Sequence, residues 1–461
     1  VSYGRLKIYT DASEITSMNV REEVAKAYAT HGTNRNDIKK LWSEYRGKTE
    51  IEKKIKEVRE SINHKINENR AYEIVSFHKG YVFGEPIQYV RRENAVSQAA
   101  DDEIAADINA LNGYMTDANK ASCDNSLAEW LYIAGTSYRL VLPNKRWEKD
   151  SDESPISIYS LDPRRTFVVY SNDVDERPLM GVYCVKQEDG NVVYNVYTEN
   201  SYFEFGDVGT PLIEKPHVLG MIPIIEYPAE NARLGVFETV MPLLDALDEL
   251  QSNRMDDIVQ CVNSFLAILG AEVTEEVREK IDEWKMMCLP LGADAKYLSA
   301  PMSQADVQTL KEDIVQTIFE ICAVPNRNGG SSTSDTGSAV VLRDGWQATE
   351  TKAKATEEMY KSSERLFLKL ALRILRDTVG TRLRVTDIAT HFTRRNYDNI
   401  ASKSQVLIAM LNNPKIHPEL AFTYCGMFID PESAYLQSKA YYDEQMEKWN
   451  PIEVEDEEED V

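Results

Sequence analysis

Gly330 and Gly337 stand in NRNGGSSTSDTGSAVVLRDG, residues 326–345, directly ahead of a long helical pattern. A glycine-rich loop at a helix N-terminus is where backbone N–H groups would cradle a phosphate. A P-loop needs G-x-x-x-x-G-K-[ST], with the lysine on the outer phosphates and the hydroxyl on magnesium. Here six residues separate the two glycines, and Ser338 and Ala339 follow where lysine and hydroxyl belong. What remains is a polar finger. Gly329 and Gly330 free the backbone, Ser331, Ser332, Thr333 and Ser334 are short and polar, and Asp335, Thr336 or Ser338 can cap the next helix. Nothing from Arg327 and Asn328 through Asp335 can bury apolar surface, so a packed core position is excluded.

Other candidates for chemistry are weaker. Asp256/Asp257 and Glu357/Glu358 have the residue types of a metal-dependent nuclease or an acid–base pair. Sequence neighbours on a helix diverge, however, and no D-x-D or H-x-E spacing supports them, so they read as solvated helix faces. His31, His64, His78, His217, His391 and His417 stand apart and read as packing or surface residues. No G-x-S-x-G and no recognisable Cys/His pair occurs. Six scattered cysteines (Cys123, Cys184, Cys261, Cys288, Cys322, Cys425) contain no C-x-x-C, which points to buried thiols in a reducing compartment. The basic doublets in RRENAV and DPRRTF are too small for a nucleic-acid patch. No catalytic constellation, cofactor site or metal site is expected.

The chain that carries these residues is 461 long, 43% hydrophobic, and has a net charge of −24. That length allows several cooperating segments, each with a core. The tail IEVEDEEEDV supplies seven acids and reads as disordered, which leaves a body of about −17. Such a surface does not grip DNA, because that affinity rests on Lys and Arg neutralising phosphates. It suits a wall past which a polyanion slides. No run of eighteen apolar residues exists, so no membrane span is expected. The opening VSYGRLKIYT has no apolar signal core and no initiator Met, so a trimmed start is expected.

The elements that must position the candidates are legible from period and punctuation. VREEVAKAYATHG (20–32) and DIKKLWSEYRG (37–47) read as two helices, each closed by a glycine. TEIEKKIKEVRESINHKINENRAYEIVSFHKG (49–80) places Ile51, Ile55, Val58, Ile62 and Ile66 near helical spacing and predicts helix up to Gly80. A further helical region covers about 101–135. From 137 to 228 the period falls to two. SYRLVLP, ISIYSLD, TFVVYS, MGVYCVKQ, NVVYNVYT and SYFEF are β-branched and aromatic runs, and QEDGN predicts a hairpin.

The second half turns helical again. VFETVMPLLDALDELQSNRMDDIVQCVNSFLAIL (236–269) predicts one helix of about 30 residues, roughly 45 Å long. Its stripe runs from Phe237, Met241, Leu244 and Leu247 to Met255, Ile258, Val262 and Phe265, with a polar break at Gln251. The insert up to Ser303 reads as helix plus two short strands, MMCLPLG and AKYLSAP. QADVQTLKEDIVQTIFEICAVP (304–325) is a helix stopped by Pro325. A helix of about 40 residues is expected from Ser338 to Val379, kinked at Gly345, with Glu350/Lys354 and Glu357/Lys361 as i,i+4 pairs in its polar first half. RLRVTDIATHF (382–392) is a candidate strand, and 400–448 is helical. The fold class expected is α+β, mainly helical. Long helices with narrow apolar stripes need cover, and copies of the chain supply it most economically.

In this order the pieces resemble the portal proteins of long-tailed double-stranded DNA phages, in the branch typical of phages of Gram-positive hosts. NENRAYEIVSFHKGYVFGEPIQY (67–89) is similar to that family's helix and G-Y-x-F-G-x-P turn. LGMIPIIEYPAEN (219–231), LLDALDELQSNRMDD (243–257), ICAVPN (321–326) and FTRRNYDN (392–399) complete the likeness, which spans residues 20–445. RENAVSQAADD (92–102) departs from it, with a longer polar link at the edge of the outer domain.

The resemblance implies a wing at 1–235 with a β-rich module at 137–228, a stem helix at 236–268, a clip at 269–303 and a second stem helix at 304–324. It further implies a channel (tunnel) loop at 325–337, a long channel-backing helix at 338–379, a return strand at 380–398, a crown at 399–448 and an acidic tail at 449–461. Also implied is a non-enzymatic ring of about twelve copies at one capsid vertex. That ring is the conduit for DNA packaging and ejection and the platform for the terminase large subunit and the head–tail adaptor. Major capsid and scaffolding proteins are the other implied partners, and double-stranded DNA passes without tight sequence-specific binding. The implied location is the virion, after assembly in the host bacterial cytoplasm. On this reading Arg327, Asn328, Gly329, Gly330, Ser331, Ser332, Thr333, Ser334 and Asp335 face the DNA. Met287, Cys288, Leu289, Tyr297 and Leu298 form the clip docking surface. Two other readings stay open at this point: a nucleic-acid-processing enzyme subunit (nuclease or NTPase), and a helical scaffold protein unrelated to DNA.

Overall fold

The computed structural model describes residues 3–56, 60–92, 98–149, 152–188, 190–206, 210–262, 265–269, 294–298, 304–325, 345–393, 400–428 and 431–449. The chain is α+β and mainly helical. Its first helix, α1 (Val20–Tyr45), is continuous where two helices were expected. The reason lies in its buried stripe: Val20, Val24, Ala27, His31, Asn34, Ile38, Leu41 and Tyr45 alternate four and three residues apart straight through Gly32. The two polar members have dedicated partners. His31 stacks on Phe167 with ring centroids 4.7 Å apart, and the Asn34 amide bonds the backbone N–H and C=O of Leu6, both at 2.8 Å.

Helix α1 joins two cores. Its first half packs on a six-stranded sheet, ordered β1 (Ile8–Thr10), β5 (Thr166–Ser171), β6 (Pro178–Lys186), β7 (Val192–Tyr197), β8 (Ser201–Phe205) and β9 (Ile213–Pro216). Phe167, Val169, Val182 and Phe203 meet Val20 and Val24 there. Only β1–β5 is parallel, and the expected hairpin links β6 to β7. The second half of α1 enters the main core through Leu41 and Tyr45. This core also takes α2 (Arg70–Phe83), α3 (Gln98–Asp117) and α4 (Lys120–Ala134). Region 101–135 is therefore two helices, separated at Asn119, whose φ is +54°. Helix α4 ends at Gly135 (φ +72°), where a Cβ would stand 2.1 Å from the Arg233 carbonyl oxygen. Only glycine fits that approach, which turns the chain into β3 (Thr136–Pro143). Strand β3 sits between β10 (Ile224–Pro228) and β4 (Ile156–Leu161).

Among the described residues of segment 49–69, 49–56 and 60–69, only Glu50–Lys53 is helical, as a 3-10 turn; the helix begins at Arg70 and passes Gly80 to Phe83. The expected 30-residue helix is also shorter: α5 covers Met241–Val262, and Phe265–Leu269 is a strand, β11, antiparallel to β12 (Asp294–Leu298). The continuous apolar run FLAIL pairs as a strand in place of extending the stripe. Helix α6 is Gln304–Cys322 and α7 is Trp346–Thr378. Gly345, read as a kink, has φ +82° and starts α7. Strand β13 (Ile388–His391) returns to pair with β2 (Gln88–Arg91). Three helices, Ile400–Leu411, Pro418–Cys425 and Pro431–Trp449, close the described chain.

A balanced charge network ties these elements together. Arg139 on β3 and Lys120 on α4 face Asp124 on α4 and Glu364 on α7, with all four side chains at most 6% exposed. Glu364 accepts from Lys120 and Arg139, each at 2.9 Å, from Tyr89 at 2.6 Å and from Tyr227 at 2.8 Å. Burial by itself would raise its pKa, but Lys120, Arg139 and the hydrogen bonds outweigh burial and hold it below the usual carboxylate range. Arg139 also bonds Asp124 and the Tyr360 hydroxyl. Two cations against two carboxylates leave no net charge buried.

Candidate functional site: the joint of the helix pair

Helices α5 and α6 lie side by side: Arg254 reaches Gln304 at 3.0 Å and Gln308 at 2.9 Å. Residues 49–56 and 60–69 run against them as a strap. On α5 the residues Asp248, Ser252 and Asp256 repeat at i, i+4 and i+8 and so form one polar column. Alternate strap amides meet that column in antiparallel order. The N–H of His64 donates to Asp256 at 2.8 Å, that of Ile66 to Ser252 Oγ at 2.9 Å, and that of Glu68 to Asp248 at 3.1 Å. The match is geometric. Two residues of extended chain rise about 6.6 Å, and four residues of helix rise about 6 Å.

The column is charged as well as spaced. Asp256 accepts from the His64 ring at 2.8 Å and from Lys54 and Lys56 at 3.1 Å each, and its side chain is fully covered. Burial works to raise its pKa; the two His64 bonds, Lys56 and Lys54 prevail and push it well below the ordinary carboxylate value. Asp256 is thus no part of a solvated face, as its sequence suggested, but the anchor of the strap. Asp248 takes three donors, from Glu68 N–H, Thr49 and Asn67, the side chains at 3.1 and 2.8 Å. Glu68 then spans the pair, touching Gln251 of α5 at 2.6 Å and Lys311 of α6.

At the other end of α6 the described residues that precede and follow the glycine-rich segment are held to the body. The ring of His78 on α2 bonds the Cys322 carbonyl at 2.8 Å, and burial, with Lys352 adding to it, pushes its pKa down to about 3. Thr349 on α7 donates to the Ala323 carbonyl at 2.8 Å, so the end of α6 and the start of α7 are joined. Trp346 packs on Phe77 and Tyr81, with ring centroids 6.1 and 5.9 Å apart, and the Tyr81 hydroxyl donates to Glu350 at 2.9 Å.

The expected DNA-facing residues, Arg327 to Asp335, lie outside the described residues, as do Met287, Cys288 and Leu289. Tyr297 and Leu298 are in β12, paired with Leu266 and Phe265. Of the other candidates, Glu357 is buried and Glu358 exposed, so they do not act as a pair. His31 and His78 are packing residues, whereas His64 belongs to the joint. Cys184, Cys322 and Cys425 are buried free thiols and Cys123 is partly buried. Among the described residues no group of three or more His, Cys, Asp or Glu is placed to hold a metal ion, and no helix is long and apolar enough to cross a membrane. The strap–column contact was missed in the sequence, although the i,i+4 repeat of Asp248, Ser252 and Asp256 was its available signal.

The described chain is thus an α+β body with a strapped helix pair and a two-stranded sheet whose strands lie between those helices in the sequence. The chain belongs to the family described as "Phage portal protein, SPP1 Gp6-like", which it matches over residues 25–459. It is a phage portal protein, a component of the phage particle. No curated protein matches the chain. Among solved structures it is similar to a chain of "Neck of native GTA particle computed with C12 symmetry", at 13% identity and a TM-score of 0.42, over 78% of this chain and 89% of that one.

Proposed function

We propose that this portal protein, of the branch typical of phages of Gram-positive hosts, closes into a ring of about twelve subunits at one capsid vertex. The observation that carries the ring is the apolar surface that the helix pair leaves exposed among the described residues. Met255 and Ile258 on α5 are 38% and 40% exposed, and Leu310 and Ile321 on α6 are 49% and 52% exposed. A second copy covers such a stripe, and a heterologous contact of this kind closes when its rotation permits.

In this reading the strap sets the angle at which α5 and α6, the stem, leave the wing. Strands β11 and β12, with the insert between them, form the clip that meets the terminase large subunit and later the head–tail adaptor. Among the described residues β11 and β12 pair only with each other, and an outer edge of such a sheet can take a further strand. Segment 325–337 is the channel loop, and residues 399–448 are the crown. The acidic body keeps the duplex from sticking to the wall, since repulsion acts over about 8 Å at physiological salt. Capsid and scaffolding proteins bind the ring's outside, and assembly takes place in the host cytoplasm. Light scattering and negative-stain microscopy of the purified chain test the central claim. Rings with an open centre are expected, and monomer alone at micromolar concentration refutes it.

A further inference from the structure

A pocket of about 260 Å³ lies between the end of α4, the 229–239 segment and the polar half of α7. Its walls are largely apolar, with Leu131, Leu234, Val236 and Met359 among them, and Lys352 is the one cation among the described residues that line it. The surroundings of that lysine are unusual for this helix. Lys354 and Lys361 each have an acid four residues before them, Glu350 and Glu357, at 3.6 Å. The helical neighbours of Lys352 are Ala348, Thr349, Ala355 and Thr356, none of them acidic. Among the described residues no carboxylate is in ion-pair contact with it. Glu230, exposed at the pocket's edge, and Cys322 act on it only through space, and burial lowers its affinity for the proton. His78, held neutral behind it, offers no counter-charge. A partly buried ammonium without a counter-charge is costly.

We propose that this pocket is a socket for a carboxylate side chain of a second copy of the chain, which supplies the counter-charge that Lys352 lacks. The inference rests on the ring reading above. In a ring every subunit presents the same socket to one neighbour and the same acid to the other, so each lysine is paired. The chain favours this occupant by composition, with 76 acids against 52 Lys and Arg. The walls favour it by shape: a Glu side chain lays its methylenes on Leu234 and Met359 and brings one charge, whereas a phosphate of DNA brings no apolar part to match them.

The test compares the full chain with Lys352→Gln, Lys352→Arg and Glu230→Gln, reading ring yield against subunit concentration by light scattering and the melting of the unassembled chain by circular dichroism. Lys352→Gln is expected to raise the concentration for half-assembly at least about tenfold, with melting unchanged or higher. Lys352→Arg should assemble closer to wild type, and Glu230→Gln should assemble as wild type or better. Carbodiimide coupling in rings mixed from light and heavy-isotope chains should join Lys352 to an acid of the other copy. Several results overturn the socket. One is wild-type assembly by Lys352→Gln in a chain that does form rings, which leaves the ring reading intact. A second is an equal defect in Glu230→Gln together with coupling only to Glu230 of the same chain, which makes the pair internal. A third is normal assembly with lost binding of a short labelled duplex, which makes the occupant a phosphate. Wild-type chain that stays monomeric removes the ring and the socket together.

Discussion

Replacing Asp256 by Asn tests whether the strap is held by charge. Asn keeps the shape and one acceptor, so the change removes the carboxylate's charge and little else. Lys54 and Lys56 are 16% and 29% exposed, so their ion pairs are partly screened, and each counts for about 0.5–1 kcal/mol. Weakening the bond from the His64 N–H from charged to neutral adds about 1 kcal/mol. The total is about 2 kcal/mol, or roughly thirtyfold in the equilibrium for lifting the strap.

Hydrogen exchange reads that equilibrium directly, because the amides of His64, Ile66 and Glu68 are the ones bonded to α5. Their exchange should quicken by roughly thirtyfold in Asp256→Asn, while amides in α4 and β3 stay as they are. High salt should move wild type part of the way toward the variant. The pH dependence has a definite sign. The folded-state pKa of Asp256 is depressed, so its contribution is complete above the ordinary carboxylate pKa of about 4 and is lost as pH falls toward the folded value. Wild-type protection should therefore fall in acid where the variant's is already low and flat. Unchanged protection at all three amides would refute the charge account and leave the strap held by packing alone.

Three further outcomes are expected. Arg139→Met leaves Glu364 and Asp124 without their shared cation and should cost about 3–5 kcal/mol in denaturant unfolding of the chain; a loss below about 1 kcal/mol would show that Lys120 alone compensates both carboxylates. Replacing Gly329 and Gly330 together by Val should leave ring assembly intact and impair DNA packaging or retention, and normal packaging by that double variant defeats the channel-loop assignment. Deleting residues 272–299 should leave the wing folded and abolish terminase binding; binding that persists unchanged removes the insert from that role.

The β-rich module was legible because burial on one face leaves a period of two, as where Phe203 and Phe205 of β8 are buried and Glu204 between them is not. Helix α1 was half legible. Its four-three stripe runs through His31 and Asn34, and polar residues in a stripe look like an end until their partners, Phe167 and the Leu6 backbone, are known. The joint was hidden by a different competition. Ile51, Ile55, Val58, Ile62 and Ile66 have helical spacing, yet Ile55 is 86% exposed while Ile51 and Ile62 are buried, so no single apolar face forms. A helix also requires that its N–H groups be taken by its own carbonyls. Asp248, Ser252 and Asp256 offer the strap amides stronger or equal acceptors from outside, and side-chain acceptors of this kind compete with secondary structure. Periodicity records where apolar side chains fall and is silent about who accepts the backbone's hydrogen bonds. At this joint the acceptors on α5 decide the conformation: Asp248, Ser252 and Asp256 take the strap amides, and Gln251, the polar break in the apparent stripe, adds a bond to the Glu68 side chain.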